Sequence, residues 1–222
     1  MANKRIVMVC TATAVLLAVG FANLPRGHAQ SPDRQNSNDS RIERGYAIAP
    51  VPLNLEGKNR ARVGLGSYLV NAVADCNGCH SAGPATQYVR GGNPYFGQPA
   101  QVNPATYLGG GRDFGPVVPN SPDIVSRNLT PDKTGLAEGG HTYKEFLKIM
   151  RTGVDMDHIH PTCSASVTTN CLPPPFDGDL LQIMPWPALQ NMTDNDLRAI
   201  YEYLSAIPCV EGGPNEPANR CN

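Results

Sequence analysis

The chain has 222 residues, 41% of them hydrophobic, which is enough for one ordinary core and hardly enough for two. Its 18 Lys and Arg residues against 19 Asp and Glu give a formal net charge of −1; with no basic patch interleaved with aromatics, this argues against a nucleic-acid partner. The 22 glycines and 21 prolines predict long irregular connections rather than disorder, because the apolar residues still cluster in periodic segments.

The first residues read as an export signal. Lys4 and Arg5 supply the charged start, Ile6 to Leu24 is apolar, and Gly27-His28-Ala29 ends in a small residue. Cleavage is expected after Ala29, so that 1–29 is a signal peptide and Cys10 leaves with it. The rival reading is an uncleaved anchor, since the apolar run approaches bilayer length although threonines and a glycine interrupt it. Residues 1–29 hold Lys4, Arg5 and Arg26 and no acid, so the remainder carries 15 basic and 19 acidic residues. No later segment has the length and apolarity of a span.

Residues 30–55 are assigned as a flexible leader, since Gln30 to Ser40 is polar and charged with few hydrophobic residues. The main domain is then 56–208. From Ala61 to Asp75 the side chains of Leu65, Tyr68, Leu69, Ala72 and Val73 recur at helical spacing, while Gly64 and Gly66 would let another element approach closely. This helix is expected to run into Cys76.

Cys76-Asn77-Gly78-Cys79-His80 follows. Two thiols three positions apart at a helix end reach the vinyl groups of one porphyrin, and the histidine directly after them falls beneath the iron; this is the pattern of covalent haem attachment. Thioether bonds also suit an exported protein, because they prevent loss of the cofactor into a dilute space. Two other readings compete: a redox dithiol, and half of a zinc site. Zinc needs a second close pair, for which His158 and His160 are the candidates, and a dithiol site needs a βαβ context that the surrounding sequence lacks.

Between Gly83 and Gly140 there is little periodicity, and glycines and prolines recur, as in Gly109-Gly110-Gly111 and Pro119-Asn120-Ser121-Pro122. A loop of that length fits a compact domain when it wraps something large, such as a cofactor. Asn128 and Asn191, each in an Asn-x-Thr triplet, read as turn or helix caps. Thr142 and Glu145 form a capping box ahead of the apolar stripe Phe146, Ile149 and Met150, which stops near Gly153.

A sixth iron ligand is sought further on. Met184, in Ile183-Met184-Pro185-Trp186-Pro187, is the candidate: a thioether stabilises ferrous iron, and the prolines stiffen the backbone around it. Met192 competes, but a hydrophobic staple onto the next helix is the simpler account of it. His141, His158 and His160 read as surface-loop histidines, with a bis-histidine iron site of lower potential the alternative, and Trp186 as core, with the haem edge the alternative; Arg90, Arg112 and Arg127 are solvated by default, with propionate contacts the alternative. The last helix starts at the N-cap Thr193, carries Asp194 and Asp196 in its first turn, aligns Leu197, Ile200, Tyr201 and Leu204 on one face, and ends before Pro208.

Four cysteines remain, and in an oxidising compartment an even set pairs. Local pairing is expected, Cys163 with Cys171 and Cys209 with Cys221, the second tethering a tail over 209–222. Bonds closing such short loops contribute about 2 kcal/mol each.

The ordered set resembles class I cytochromes c. It comprises the Gly-x-Tyr-bearing helix into Cys76-Asn77-Gly78-Cys79-His80, then Ser126-Arg127-Asn128-Leu129-Thr130-Pro131-Asp132, Tyr143 to Gly153, Met184-Pro185-Trp186, and Met192-Thr193-Asp194-Asn195-Asp196-Leu197. From about Gly64 to Ile207 it is similar to a repeating unit of the cytochrome subunits of periplasm-facing alcohol and gluconate dehydrogenases. The resemblance implies an all-α, loop-rich class I cytochrome c fold with N- and C-terminal helices packed around one haem c. In it the helix before Cys76 crosses the last helix, with Tyr201 as a contact, and Pro84 offers its carbonyl to the ring N–H of His80. Cys76 and Cys79 would hold haem covalently, His80 would be the proximal iron ligand and Met184 the distal one.

Those subunits typically carry several haem motifs and this chain has one; it also adds Cys163, Cys171, Cys209 and Cys221. The function expected is that of a periplasmic mono-haem cytochrome, membrane-anchored if its signal stays, that passes single electrons from a dehydrogenase to an oxidase or another cytochrome. It would not be an enzyme and would have no small-molecule substrate. The alternatives are a peroxidase-like haem enzyme, which usually needs a second haem, and a gas sensor with a displaceable Met184.

Overall fold

Residues 32–157, 172, 174–212 and 219–222 are described by a computed structural model, and their order is helical from the start. The expected signal peptide, Cys163, Cys171, His158 and His160 lie outside the described residues. Where a flexible leader was expected, α1 (Pro32–Ile48) forms a helix of 17 residues. Its few apolar residues explain why: Ile42 and Tyr46, with Ala49 just beyond its end, pack against the core. Once that end is fixed by packing, each further residue adds a hydrogen bond without a new nucleation cost, so the polar turns before it stay helical.

The first crossing uses glycine. A Cβ on Gly45 of α1 would stand 1.8 Å from the carbonyl oxygen of Gly64 in α2 (Arg60–Tyr68), and Ser67 Oγ donates to the Gly45 carbonyl at 2.7 Å. Asn59 caps α2 by accepting from the Arg62 N–H at 3.1 Å. Beyond Tyr68 the helix does not run regularly to Asp75. It widens into a π turn at Leu69–Val73, with the Ala74 N–H reaching Leu69 O at 2.9 Å, and Asp75 then turns left-handed at φ 46°. Cys76–Cys79 is therefore a separate single turn, α3, set at an angle the helix alone would not give.

The segment expected to be a long wrapping loop is built of short pieces. These are α4 (Pro84–Gln87), a 3₁₀ turn at Pro94–Phe96, a two-stranded antiparallel hairpin of β1 (Asp113–Pro116) and β2 (Asp123–Val125), and the kinked turn α5 (Ala137–Gly140). Asp113 lies opposite Val125 and Pro116 opposite Asp123, with a register irregularity between them. The fold is thus helix-rich with little sheet.

α6 (Tyr143–Thr152) begins with the expected capping box: Glu145 N–H bonds Thr142 Oγ1, and Glu145 Oε2 accepts from the Thr142 N–H at 2.8 Å. It ends at Gly153, φ 71°. After the turn α7 (Trp186–Leu189), Thr193 caps α8 (Asp194–Leu204) by accepting from the Asp196 N–H at 3.1 Å. α8 stops at Leu204, short of Pro208.

The core lies where α2 crosses α8. A Cβ on Gly66 would stand 2.0 Å from the Ala199 carbonyl oxygen and 2.7 Å from Tyr203 Cβ, so the two backbones meet directly. Val63, Val70, Leu197 and Leu204 are buried around the crossing and Phe146 and Met150 of α6 join them; each such side chain contributes about 1.5–3 kcal/mol. The tyrosine facing Gly66 is Tyr203. Tyr201, expected at the crossing, instead sets its ring against Phe146 and Tyr143, centroids 5.5 and 5.4 Å away. Two fully buried tyrosines satisfy each other: Tyr107 and Tyr203 hydroxyls lie 2.8 Å apart, and Asn71 bonds both.

Candidate functional site

Cys76, Cys79 and His80 share one turn and its cap. Burial, then the charge of Asp75, pushes the Cys76 thiol up to about 12, while Cys79 is exposed. A dithiol that works by exchange needs a thiol whose pKa is lowered, so this microenvironment disfavours the redox-dithiol reading. Among the described residues no three His, Cys, Asp or Glu side chains converge on a metal position. Asn77, between the two cysteines, is buried, and its side-chain oxygen accepts from the Leu108 N–H at 2.9 Å. The Gly78 carbonyl accepts from the Arg112 guanidinium, which lies over the Phe114 ring at 4.9 Å.

His80 Nδ1 lies 2.7 Å from the carbonyl oxygen of Arg127. A carbonyl only accepts, so this nitrogen carries the proton, and Nε2 is left as the basic nitrogen for a metal. Burial lowers the His80 pKa, as does the Arg127 charge, against the opposing effect of the carbonyl bond. The ring is held neutral, as a ligand must be. The carbonyl expected in this place belonged to Pro84. It is Arg127 instead because the Gly109-Gly110-Gly111 run brings the 126–128 segment over the histidine: Gly110 N–H bonds His80 O at 2.9 Å, and Gly111 N–H bonds Ser126 O at 2.8 Å. Two thiols on one turn and a ring nitrogen oriented from behind fit a haem of the c type.

Arg127 also carries charge chemistry. Its guanidinium pairs with Asp155 and Asp157, and His141 Nε2 stands 3.4 Å from Asp157 while its Nδ1 donates to Glu138 O at 2.7 Å. His141 is therefore occupied within this cluster. Arg127 and Arg112 are not simply solvated, whereas Arg90 is exposed.

Met184 is half-buried and packs against the same core cluster as Cys76. Its backbone sits between two three-residue turns, with Met184 N–H to Gln182 O at 2.7 Å and Trp186 N–H to Met184 O at 2.8 Å. The first turn places Ile183 at φ 68°, with half its surface exposed at 51%; a β-branched residue there is strained, and strain of this kind gathers at ligand-presenting sites. Trp186 Nε1 donates to Leu181 O at 3.1 Å and its ring lies over Gly153, where a Cβ would come within 2.2 Å. Leu181 N–H in turn bonds Gly153 O at 2.7 Å, so the Met184 segment is fastened to the end of α6. Met192 packs at the core beside α8, its carbonyl accepting from Arg151 at 2.7 Å.

Cys209 and Cys221 stand at disulfide distance, with Cα atoms 5.7 Å apart. Sequence reasoning missed the Arg127 carbonyl and the buried Glu138, since neither has a local signature; the Ser126–Asp132 motif was visible, though not the atom in it that matters.

Comparison with characterised proteins points the same way. Over 148 residues the chain is 30% identical to the gluconate 2-dehydrogenase cytochrome c subunit of Pantoea cypripedii, covering 66% of this chain and 23% of that protein. It is 27% identical over 162 residues to the fructose dehydrogenase cytochrome subunit of Gluconobacter japonicus, covering 72% and 24%. To the alcohol dehydrogenase (quinone) cytochrome c subunit of Gluconacetobacter polyoxogenes it is 26% identical over 160 residues, again 72% and 24%. The matched region spans about a quarter of the length of these relatives. No family model and no solved structure matches.

Proposed function

From its similarity to dehydrogenase cytochrome c subunits, we propose that this chain is a periplasmic mono-haem cytochrome c that carries single electrons from a dehydrogenase to a downstream acceptor. The observation that carries the reading is the 2.7 Å contact of His80 Nδ1 with the Arg127 carbonyl at the end of the Cys76–Cys79 turn. It supports His80 as the proximal ligand, with Cys76 and Cys79 on the same turn as attachment points; the reading of Met184 as the distal ligand is supported by the strained turn at Ile183 beside it.

When bound, haem supplies the one-electron iron couple. The chain's own residues supply the rest: the Arg127 carbonyl holds the His80 ring N–H and keeps the imidazole basic, and the strained turn at Ile183 fixes the backbone that carries Met184. Periplasmic placement rests on the signal-like residues 1–29. No substrate bond is made or broken in this reading, and partner contacts are small and transient.

The test is expression with c-type maturation, followed by denaturation and intact mass. One haem retained by the denatured chain, and lost on Cys76→Ala with Cys79→Ala, is the expected result; release of all haem on denaturation rejects the proposal. Ready carbon monoxide binding by the reduced protein at neutral pH would also reject a six-coordinate carrier.

A further inference from the structure

We infer that the C-terminal tail is a positioning element for His80, in which Val210 and Arg220, joined through Cys209 and Cys221, grip the segment whose Arg127 carbonyl orients the imidazole. This rests on His80 being the proximal ligand, as proposed above.

The segment following Arg127 is held by residues of the tail. Val210 N–H bonds Thr130 Oγ1 at 3.0 Å, and Asn128 Nδ2 donates to Val210 O at 2.8 Å. Arg220 is 6% exposed and donates to Thr130 O at 2.9 Å and to Pro131 O at 3.5 Å. Its backbone continues the grip: Arg220 N–H bonds a Glu211 carboxylate oxygen at 3.0 Å, and Lys133 N–H bonds Arg220 O at 2.9 Å. A guanidinium taken out of water costs free energy unless its donors are met, so these carbonyls and the arginine fix one another.

Each gripping residue is the chain neighbour of a cysteine, Val210 of Cys209 and Arg220 of Cys221, and the two Cα atoms of the cysteine pair are 5.7 Å apart. The disulfide thus sets the spacing of the two anchors rather than merely closing the end of the chain. Val210 also reaches the other side of the frame around His80: a Cβ on Gly109 would stand 2.8 Å from Val210 Cγ1, and the next residue, Gly110, bonds His80 O. The tail therefore touches both strands of backbone that hold the histidine.

A firm N–H to carbonyl bond makes the imidazole a stronger donor and favours ferric iron; loosening it should raise the potential. The experiment uses the haem-loaded full chain with Arg220→Lys, Arg220→Met and the pair Cys209→Ser with Cys221→Ser. It reads the midpoint potential and the exchange rate of the His80 ring N–H by NMR. Expected are an upward shift, graded from Lys to Met, and ring N–H exchange at least tenfold faster; a tenfold change in the one-electron equilibrium would be about 59 mV. Should Arg220→Met fail to load haem, the serine pair, which keeps Arg220, decides. A native potential and native exchange in variants that have lost only thermal stability would overturn the inference. Failure of the underlying reading looks different: His80→Ala would then leave the axial-histidine spectrum unchanged.

Discussion

His80 and Arg127 meet through a ring nitrogen and a carbonyl oxygen 2.7 Å apart, across 47 residues of sequence. Gly110 makes the meeting possible. It is left-handed at φ 68°, and a Cβ there would stand 2.4 Å from the Arg127 carbonyl carbon and 2.5 Å from the Asn128 nitrogen. Gly110→Ala must move that peptide, so a loss of about 2–3 kcal/mol is expected in denaturant unfolding. Gly57→Ala is the control: Gly57 has φ 66° but nothing within 4 Å, and should lose about 1 kcal/mol for the backbone conformation alone.

Gly66→Ala should be among the most damaging single changes. Its Cβ would fall 2.0 Å from the Ala199 carbonyl oxygen, and a backbone carbonyl inside α8 cannot yield as a flexible side chain can. Separating the helices strands Tyr203, whose hydroxyl is bonded to Tyr107 and Asn71. A loss of about 3 kcal/mol or more, with a lower unfolding midpoint and an unchanged slope, is the expected outcome. A change below 1 kcal/mol would mean the crossing is not as close as described.

Local features were legible in the sequence. The Thr142–Glu145 box, the Thr193 cap and the close-approach glycines 64 and 66 each depend on residues a few positions apart, and each stands in the fold as read. What was illegible is non-local or sparse. α1 is anchored by few apolar side chains among polar ones, so composition alone suggested a leader without structure. The π turn at Leu69–Val73 leaves the apolar spacing almost unaltered, so periodicity could not reveal it. The partner of His80 is a main-chain atom, and a main-chain atom has no residue type to recognise. Tyr201 and Tyr203 sit two positions apart on one helix; only the rotation of α8 against α2 decides which faces the glycine.

Met184 and Met192 are separated by their backbones more than by their burial. Met184 hangs between two three-residue turns, one centred on Ile183 at φ 68°, while Met192 immediately precedes the N-cap of a regular helix. Met184→Ala should therefore abolish the weak red charge-transfer band of sulfur-ligated ferric iron and lower the potential. Met192→Ala should leave the band intact and cost about 2 kcal/mol of stability as a packing change. The reverse pattern would transfer the distal role to Met192.

Glu138 gives the fold a pH dependence whose sign can be fixed in advance. Its side chain is buried and Oε2 has no hydrogen-bond partner among the described residues. Burial pushes its carboxyl from 4.5 up to about 7, against the opposing charges of His141 and Arg127 and with a further push from Asp155. A carboxyl that binds its proton more tightly in the fold than in the unfolded chain stabilises the fold only while protonated in both. Stability is thus unpenalised below about 4.5, falls as pH rises from there to about 7, and stays reduced above, by on the order of 3 kcal/mol. Glu138→Gln removes the ionisation and keeps the shape. Thermal melts should show the variant unchanged at pH 4.5 and more stable than the parent at pH 8, by roughly 5–10 °C. Equal gains at both pH values would assign the effect to the amide's hydrogen bonds, and a loss at pH 8 would mean that the carboxylate is paired in the native state.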